Sequence, residues 1–118
     1  MSYNWVPQSG DLIFIDFDPH AGREQAGTRP ALVISQSTYN AKAGLAIVCP
    51  ITNQMKGYPF EVPIPEGQKI RGVVLADQVK CLDWKVRRAR RVQTAPRSVL
   101  DTVRQYIALI LGMKQTSS

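Results

Sequence analysis

Six short segments that read as β-strands, each bounded by glycine, proline or aspartate, precede the one long stretch with helical periodicity. They are Leu12–Phe17, Ala31–Ser35, Leu45–Cys49, Phe60–Ile64, Gly72–Leu75 and Gln78–Trp84. Apolar residues packed into runs this short cannot cover a helix face, so the chain must build its core from a sheet. Leu12–Phe17 is set off by Ser9-Gly10 before it and Asp18-Pro19 after it, both turn signals. Leu45–Cys49 is apolar without a break, which implies a strand buried on both faces or lying at a dimer contact. Phe60–Ile64 contains Pro63, which cannot donate to a ladder, and is expected at an edge. Between these runs, Ser37–Ala43 is expected as one or two helical turns, capped by Ser37 and closed by Gly44. From Pro96 onward, Val99, Leu100, Val103, Ile107, Ile110 and Leu111 recur at three- and four-residue spacings up to Gly112, giving an amphipathic helix. The expectation is a mainly β fold: a small curled sheet or barrel of about six to seven strands packed against a C-terminal helix.

A chain of 118 residues has room for one core, so residues 1–118 are read as one domain with a polar tail at 113–118. Fifteen Lys and Arg against nine Asp and Glu give a formal net charge of +6, which favours an anionic partner without choosing it. Four arginines, Arg87, Arg88, Arg90 and Arg91, crowd the segment Lys85–Val92, read either as a solvated basic face or as an electrostatic track. The N-terminus has neither a basic region nor an apolar one of the secretory kind, and the longest apolar stretch, Tyr106–Leu111, is far short of the ~20 residues that span a bilayer. No membrane role is expected, and the cytoplasm is the expected location. Cys49 and Cys81 lack Cys-x-x-Cys spacing and are read as two buried thiols, with no metal or cofactor site.

Two polar clusters stand where strands meet loops, the places that most often carry function. Residues 24–30 concentrate Glu24, Gln25, Thr28 and Arg29 immediately before the run at Ala31. Residues 50–54 release Thr52, Asn53 and Gln54 after the run ending at Cys49. If those two strands pair, Arg29 and Thr52 face one pocket, and a planar guanidinium beside a hydroxyl suits phosphate.

At this point the chain resembles the MazF/PemK family of bacterial toxin endoribonucleases. The resemblance rests on Gly10-Asp11-Leu12-Ile13, Asp16-Phe17-Asp18-Pro19, Glu24-Gln25-Ala26-Gly27, Arg29-Pro30-Ala31, Pro50-Ile51-Thr52, Lys56-Gly57-Tyr58-Pro59-Phe60-Glu61-Val62 and Ala76-Asp77-Gln78-Val79-Lys80. It implies an SH3-like barrel, a homodimer with single-stranded RNA bound along the subunit interface, and metal-independent cleavage at a short motif leaving a 2′,3′-cyclic phosphate and a 5′-hydroxyl. It implies Arg29 and Thr52 as the catalytic pair, and an antitoxin partner whose acidic segment occupies the RNA site. Phe17, Gln25, Lys56 and Gln78 match positions that border the RNA groove. Asn53 is added as the neighbour of Thr52.

The residues support such chemistry. Cleavage without metal uses the adjacent 2′-hydroxyl as nucleophile and needs charge stabilisation at phosphorus and a proton for the leaving 5′-oxygen. Arg29 is expected to clamp the phosphate and donate that proton, and Thr52 to donate a hydrogen bond to a nonbridging oxygen. Glu24 is the candidate proton acceptor, with a structural ion pair to Arg29 as the alternative. Phe17 serves equally as a stacking platform or as core. His20, the single histidine, has no second histidine to form an acid–base pair and is read as a loop residue. Two other readings stay open on the sequence: a non-catalytic toxin of the same barrel type that inhibits DNA gyrase, and a basic nucleic-acid-binding module without turnover.

Overall fold

The computed structural model describes residues 5–17 and 27–114 of the chain. Seven strands and two helices follow in the order β1 (Asp11–Asp16), β2 (Thr28–Val33), α1 (Ser37–Ala43), β3 (Leu45–Thr52), β4 (Glu61–Pro63), β5 (Val73–Leu75), β6 (Lys80–Asp83), β7 (Arg90–Thr94) and α2 (Arg97–Ile110). All pairings are antiparallel and join the strands into one sheet in the order β4-β5-β3-β2-β1-β7, with β6 also pairing β3. This is the expected mainly β architecture.

The three central strands are buried on both faces. Leu12, Leu32, Cys49 and Ile51 point into one cluster, which Val62, Ile64, Val74 and α2 residues Val99, Leu100 and Val103 complete. The alternate residues Ile13, Ile15, Ala31, Val33, Ala46 and Val48 point into a second cluster, closed by Leu82, Trp84 and Ala89. Each fully buried Leu, Ile or Val contributes about 1.5–3 kcal/mol of transfer free energy, so a strand serving both clusters is fixed in register and rotation. This double burial explains why β3 reads as an unbroken apolar run.

β3 runs on through Pro50 to Thr52, past the end of the apolar run at Cys49. The proline is tolerated because it falls in a gap. β6 pairs β3 only as far as Val48, and β5 takes over at Ile51, so no strand on that edge needs the absent donor. β4 is short and carries Pro63 at the sheet edge, as its sequence implies. The N-cap of α1 is Gln36, not Ser37, and it makes no side-chain cap bond; Gly44 closes the helix in the left-handed conformation expected of it.

The α1 helix instead depends on a buried amide. Asn40 donates through Nδ2 to the carbonyls of Pro7 (2.7 Å) and Ser35 (3.1 Å) and accepts from the Ser35 hydroxyl (2.5 Å). Its own carbonyl accepts the Trp84 indole N–H at 3.0 Å. Ser35 passes the connection on by accepting the Ile47 N–H at 2.8 Å.

The basic run of the sequence contains the start of a strand, β7, which the apolar pattern did not reveal. Three of its four arginines have structural partners. Arg87 donates to the carbonyls of Asp16 (3.1 Å) and Phe17 (2.7 Å), and Arg90 lies over the Phe14 ring at 5.0 Å. Arg91 pairs at 3.2 Å with the buried Asp11, whose other oxygen accepts the Gln8 N–H. The Cys81 expectation is also corrected. Cys81 is exposed, because β6 buries only Leu82, and it lies 3.8 Å from the Tyr39 hydroxyl. Cys49 is buried as expected, and burial, then the nearby Asp77 carboxylate, push its thiol up to about 12.

Two outcomes are expected. Asn40→Ala strands buried carbonyls at both ends of the network and should cost about 2–4 kcal/mol in urea unfolding, with the Trp84–backbone bond retained. In the native protein a thiol-reactive chromophore at pH 8 should label Cys81 alone, and both cysteines once the chain is unfolded. Because the Cys49 pKa is raised on folding from 9.0 to about 12, the stability it confers is present below pH 9 and is lost as pH rises through 12.

Candidate functional site

Antiparallel pairing between β2 and β3 sets the site. Val33 lies opposite Val48, Leu32 opposite Cys49, and Ala31 opposite Pro50. Carrying that register two residues further brings Arg29 opposite Thr52. Both side chains line one cavity of about 770 Å³, together with Phe14, Thr28, Pro30, Ile51, Asn53, Gln54, Lys69, Ile70 and Arg71. Strand pairing therefore brings together two residues that are distant in the chain, the outcome that the sequence made conditional on that pairing.

Each side chain is arranged to donate. The Thr52 hydroxyl accepts the Gln54 N–H at 3.1 Å, which engages one of its lone pairs and leaves its own proton free to donate. Arg29 is exposed, and among the described residues no hydrogen bond or ion pair engages its guanidinium. The neighbouring Thr28 is held by its hydroxyl to Asp16, so the strand beneath Arg29 is pinned to β1.

Thr52 is fixed from behind by a glycine. Gly72 has φ +116°, and a Cβ at that position would lie 2.1 Å from the Thr52 carbonyl oxygen and 2.8 Å from its carbon. No side chain fits there, and few would adopt the backbone angle. The sequence marked Gly72 only as a strand start, and nothing in the local pattern signals that another backbone presses against it.

A smaller cavity of about 140 Å³ adjoins the first. It is lined by Thr52, Gln54, Lys56, Tyr58, Glu61, Leu75 and Gln78, so Thr52 and Gln54 border both. The Glu61 carboxylate there accepts the N–H groups of Lys56 and Gly57, which orders the loop carrying Lys56.

The residues singled out in the sequence thus distribute as follows. Arg29, Thr52 and Asn53 line the large cavity, while Thr52 also lines the small one with Lys56 and Gln78. Phe17 is half-buried against the second core cluster and lines neither. Glu24, Gln25 and His20 lie outside the described residues. Lys69 and Arg71 line the large cavity but were absent from the sequence-based set, because neither adjoins a strand end near Arg29 or Thr52 in the chain. Among the described residues no group of three or more His, Cys, Asp or Glu side chains could hold a metal ion, and no helix is long and apolar enough to cross a membrane.

Residues 8–111 match the profile of the PemK-like, MazF-like toxins of type II toxin–antitoxin systems. The endoribonuclease toxin MazF of Escherichia coli K12 is 46% identical over 112 residues, covering 95% of this chain and 100% of that protein. The Escherichia coli endoribonuclease PemK is 33% identical over 109 residues, covering 88% of this chain and 81% of that protein. Among solved structures, MazF from Deinococcus radiodurans is 48% identical with a TM-score of 0.85, covering 93% of this chain and 100% of that one. A MazE–MazF complex from the same organism is 43% identical with a TM-score of 0.84, covering 94% of this chain and 100% of that one.

The contact at Gly72 yields a stability test with an internal reference. Gly72→Ala should cost more than 2 kcal/mol in chemical unfolding, combining an unfavourable φ with displacement of the Thr52 backbone. Gly57→Ala shares a positive φ but has nothing within 4 Å of the added Cβ, and should cost about 1 kcal/mol. Equal losses at the two sites would mean that Gly72 does not hold Thr52.

Proposed function

The chain belongs to the PemK-like, MazF-like toxins of type II toxin–antitoxin systems, an endoribonuclease homologous to MazF, PemK and ChpB, and from that premise we propose that Arg29 and Thr52 cleave single-stranded RNA at a short motif without a metal ion. The observation that carries this reading is the convergence of an exposed guanidinium and a donating hydroxyl on one cavity.

In the reaction the 2′-oxygen attacks the adjacent phosphorus, a bond to the 5′-oxygen breaks, and a 2′,3′-cyclic phosphate and a 5′-hydroxyl result. Arg29 meets the phosphoryl oxygens with paired N–H donors and stabilises the charge that accumulates as the phosphorane forms. Thr52, its acceptor side already engaged by Gln54, turns its O–H to a nonbridging oxygen. The 5′-oxygen takes its proton from the Arg29 side, and the 2′-hydroxyl proton passes to a base for which Glu24 remains the candidate. Because Thr52 and Gln54 border both cavities, a strand leaving the scissile phosphate passes directly to Lys56, Tyr58 and Gln78. An exposed tyrosine ring and two amides there offer stacking and base-edge hydrogen bonds, the usual means of reading an unpaired base. Asn53 lines the larger cavity.

Two associations complete the proposal. An antitoxin partner would block the site with an acidic segment laid along this cationic groove, in keeping with the MazE–MazF assemblies of the Deinococcus relative. A homodimer would use the apolar end of α2, where Leu109, Ile110 and Leu111 stand exposed.

The test is incubation of the purified protein with long single-stranded RNA in excess EDTA, followed by mapping of the new ends. Discrete cuts at a shared motif, bearing 5′-hydroxyls and absent from the DNA counterpart, are expected. Arg29→Ala and Thr52→Ala should each slow cutting by about 10²–10³-fold, the loss typical of removing one donor to a developing charge. Arg29→Lys should restore little, since an ammonium lacks the paired donors. Undiminished cutting by Arg29→Ala would reject the mechanism.

A further inference from the structure

The β4–β5 connection contributes Lys69, Ile70 and Arg71 to the lining of the large cavity. Ile70 is only 4% exposed and belongs to the core cluster that includes Leu100 and Val103. Its neighbours on either side are exposed, so the buried isoleucine fixes the segment from which both cations project. The Lys69 N–H donates to Gln93 Oε1 at 2.7 Å, and Gln93 Nε2 donates to Gln68 Oε1 at 2.5 Å, tying the connection to β7. Gly72 fastens its other end against Thr52. A connection held at three points pays little ordering entropy when it meets a ligand.

Charge completes the picture. Arg29, Lys69 and Arg71 line this cavity, and among the described residues no carboxylate does. The ion pairs found among the described residues are Arg91–Asp11 and Arg97–Asp101, and neither Lys69 nor Arg71 pairs with an acid among those residues. One phosphodiester carries a single negative charge, and Arg29 with Thr52 suffices for it. Two further cations on the same cavity call for further phosphates of the same strand.

We propose that the β4–β5 connection is a second RNA-binding arm, in which Lys69 and Arg71 hold backbone phosphates flanking the scissile one. The arm rests on the nuclease reading for the identity of its ligand, and it sets affinity without taking part in bond breaking. Its contribution is independent of base sequence, because phosphate contacts position a strand and do not read it.

The experiment uses the full chain and a fluorescent 2′-O-methyl RNA strand, which binds but lacks the nucleophile for cleavage. Binding is titrated over a range of salt concentrations for the unchanged protein and for the double variant Lys69→Gln/Arg71→Gln. The double variant should bind about tenfold more weakly at low salt, and its salt slope should fall by about 1.4, or 0.7 for each lost contact to a single strand. With cleavable RNA it should show a raised KM, an unchanged kcat and the same cut positions. Lys69→Arg should bind as the unchanged protein does. A control double variant outside the cavity, Lys42→Gln/Lys114→Gln, removes the same charge and should leave the slope nearly intact.

Equal loss in the control would reduce the effect to net charge and overturn the arm, as would unaltered binding by the cavity variant. A fall in kcat with KM unchanged would overturn it in favour of action at the reacting phosphate. Loss of binding to a poly-glutamate peptide with RNA binding preserved would overturn it in favour of an acidic protein segment. Failure of the nuclease reading appears separately, as RNA that the unchanged protein binds but does not cut; failure to bind the strand at all overturns the arm.

Discussion

The whole structure is referred to β3, a strand hydrogen-bonded along both edges and buried on both faces. A strand so enclosed cannot slip by one residue without turning its buried side chains from one core to the other. Its end is therefore a fixed point, and Thr52 is that end. β2 on one edge delivers Arg29 in register, and β5 on the other delivers Gly72 against the Thr52 carbonyl. The candidate site is rigid because the sheet is.

Two groups of cations in the chain have different physical roles. Arg87, Arg90 and Arg91 are taken up by backbone carbonyls, an aromatic ring and a buried carboxylate, and they hold β7 and the end of β1 together. Arg29, Lys69 and Arg71 line the cavity with no acid beside them among the described residues. Although the first group is the more conspicuous in the sequence, the second lines the candidate site. Clustering along the chain was a poor guide to function here, since charge density in sequence says nothing of which partners the fold supplies.

The two cavities meet at Thr52 and Gln54, which makes the proposed reaction centre a junction and not an end wall. On one side stand the cations of the β4–β5 connection, and on the other the tyrosine and amides around Lys56. A polymeric ligand can pass through such a junction, with its backbone held on one side and its bases met on the other.

By itself the sequence determined the strand-rich class, the two helices and the two polar clusters, because burial periodicity and turn chemistry are local and legible along the chain. Arg29 and Thr52 were identifiable there as candidates for the same reason, each lying at the end of an apolar run. Only the tertiary structure decided what depended on partners distant in sequence. It continued β3 through Pro50, since the neighbouring strands leave a gap there, and it exposed Cys81 on a strand that buries one residue in four. It turned part of the basic run into β7 and buried Asn40 as a hydrogen-bonding hub. It also brought Lys69, Arg71 and Gly72 to Thr52. A residue's neighbours across a sheet are set by register and strand order, and these are fixed when the two cores form together, not by any stretch of sequence taken alone.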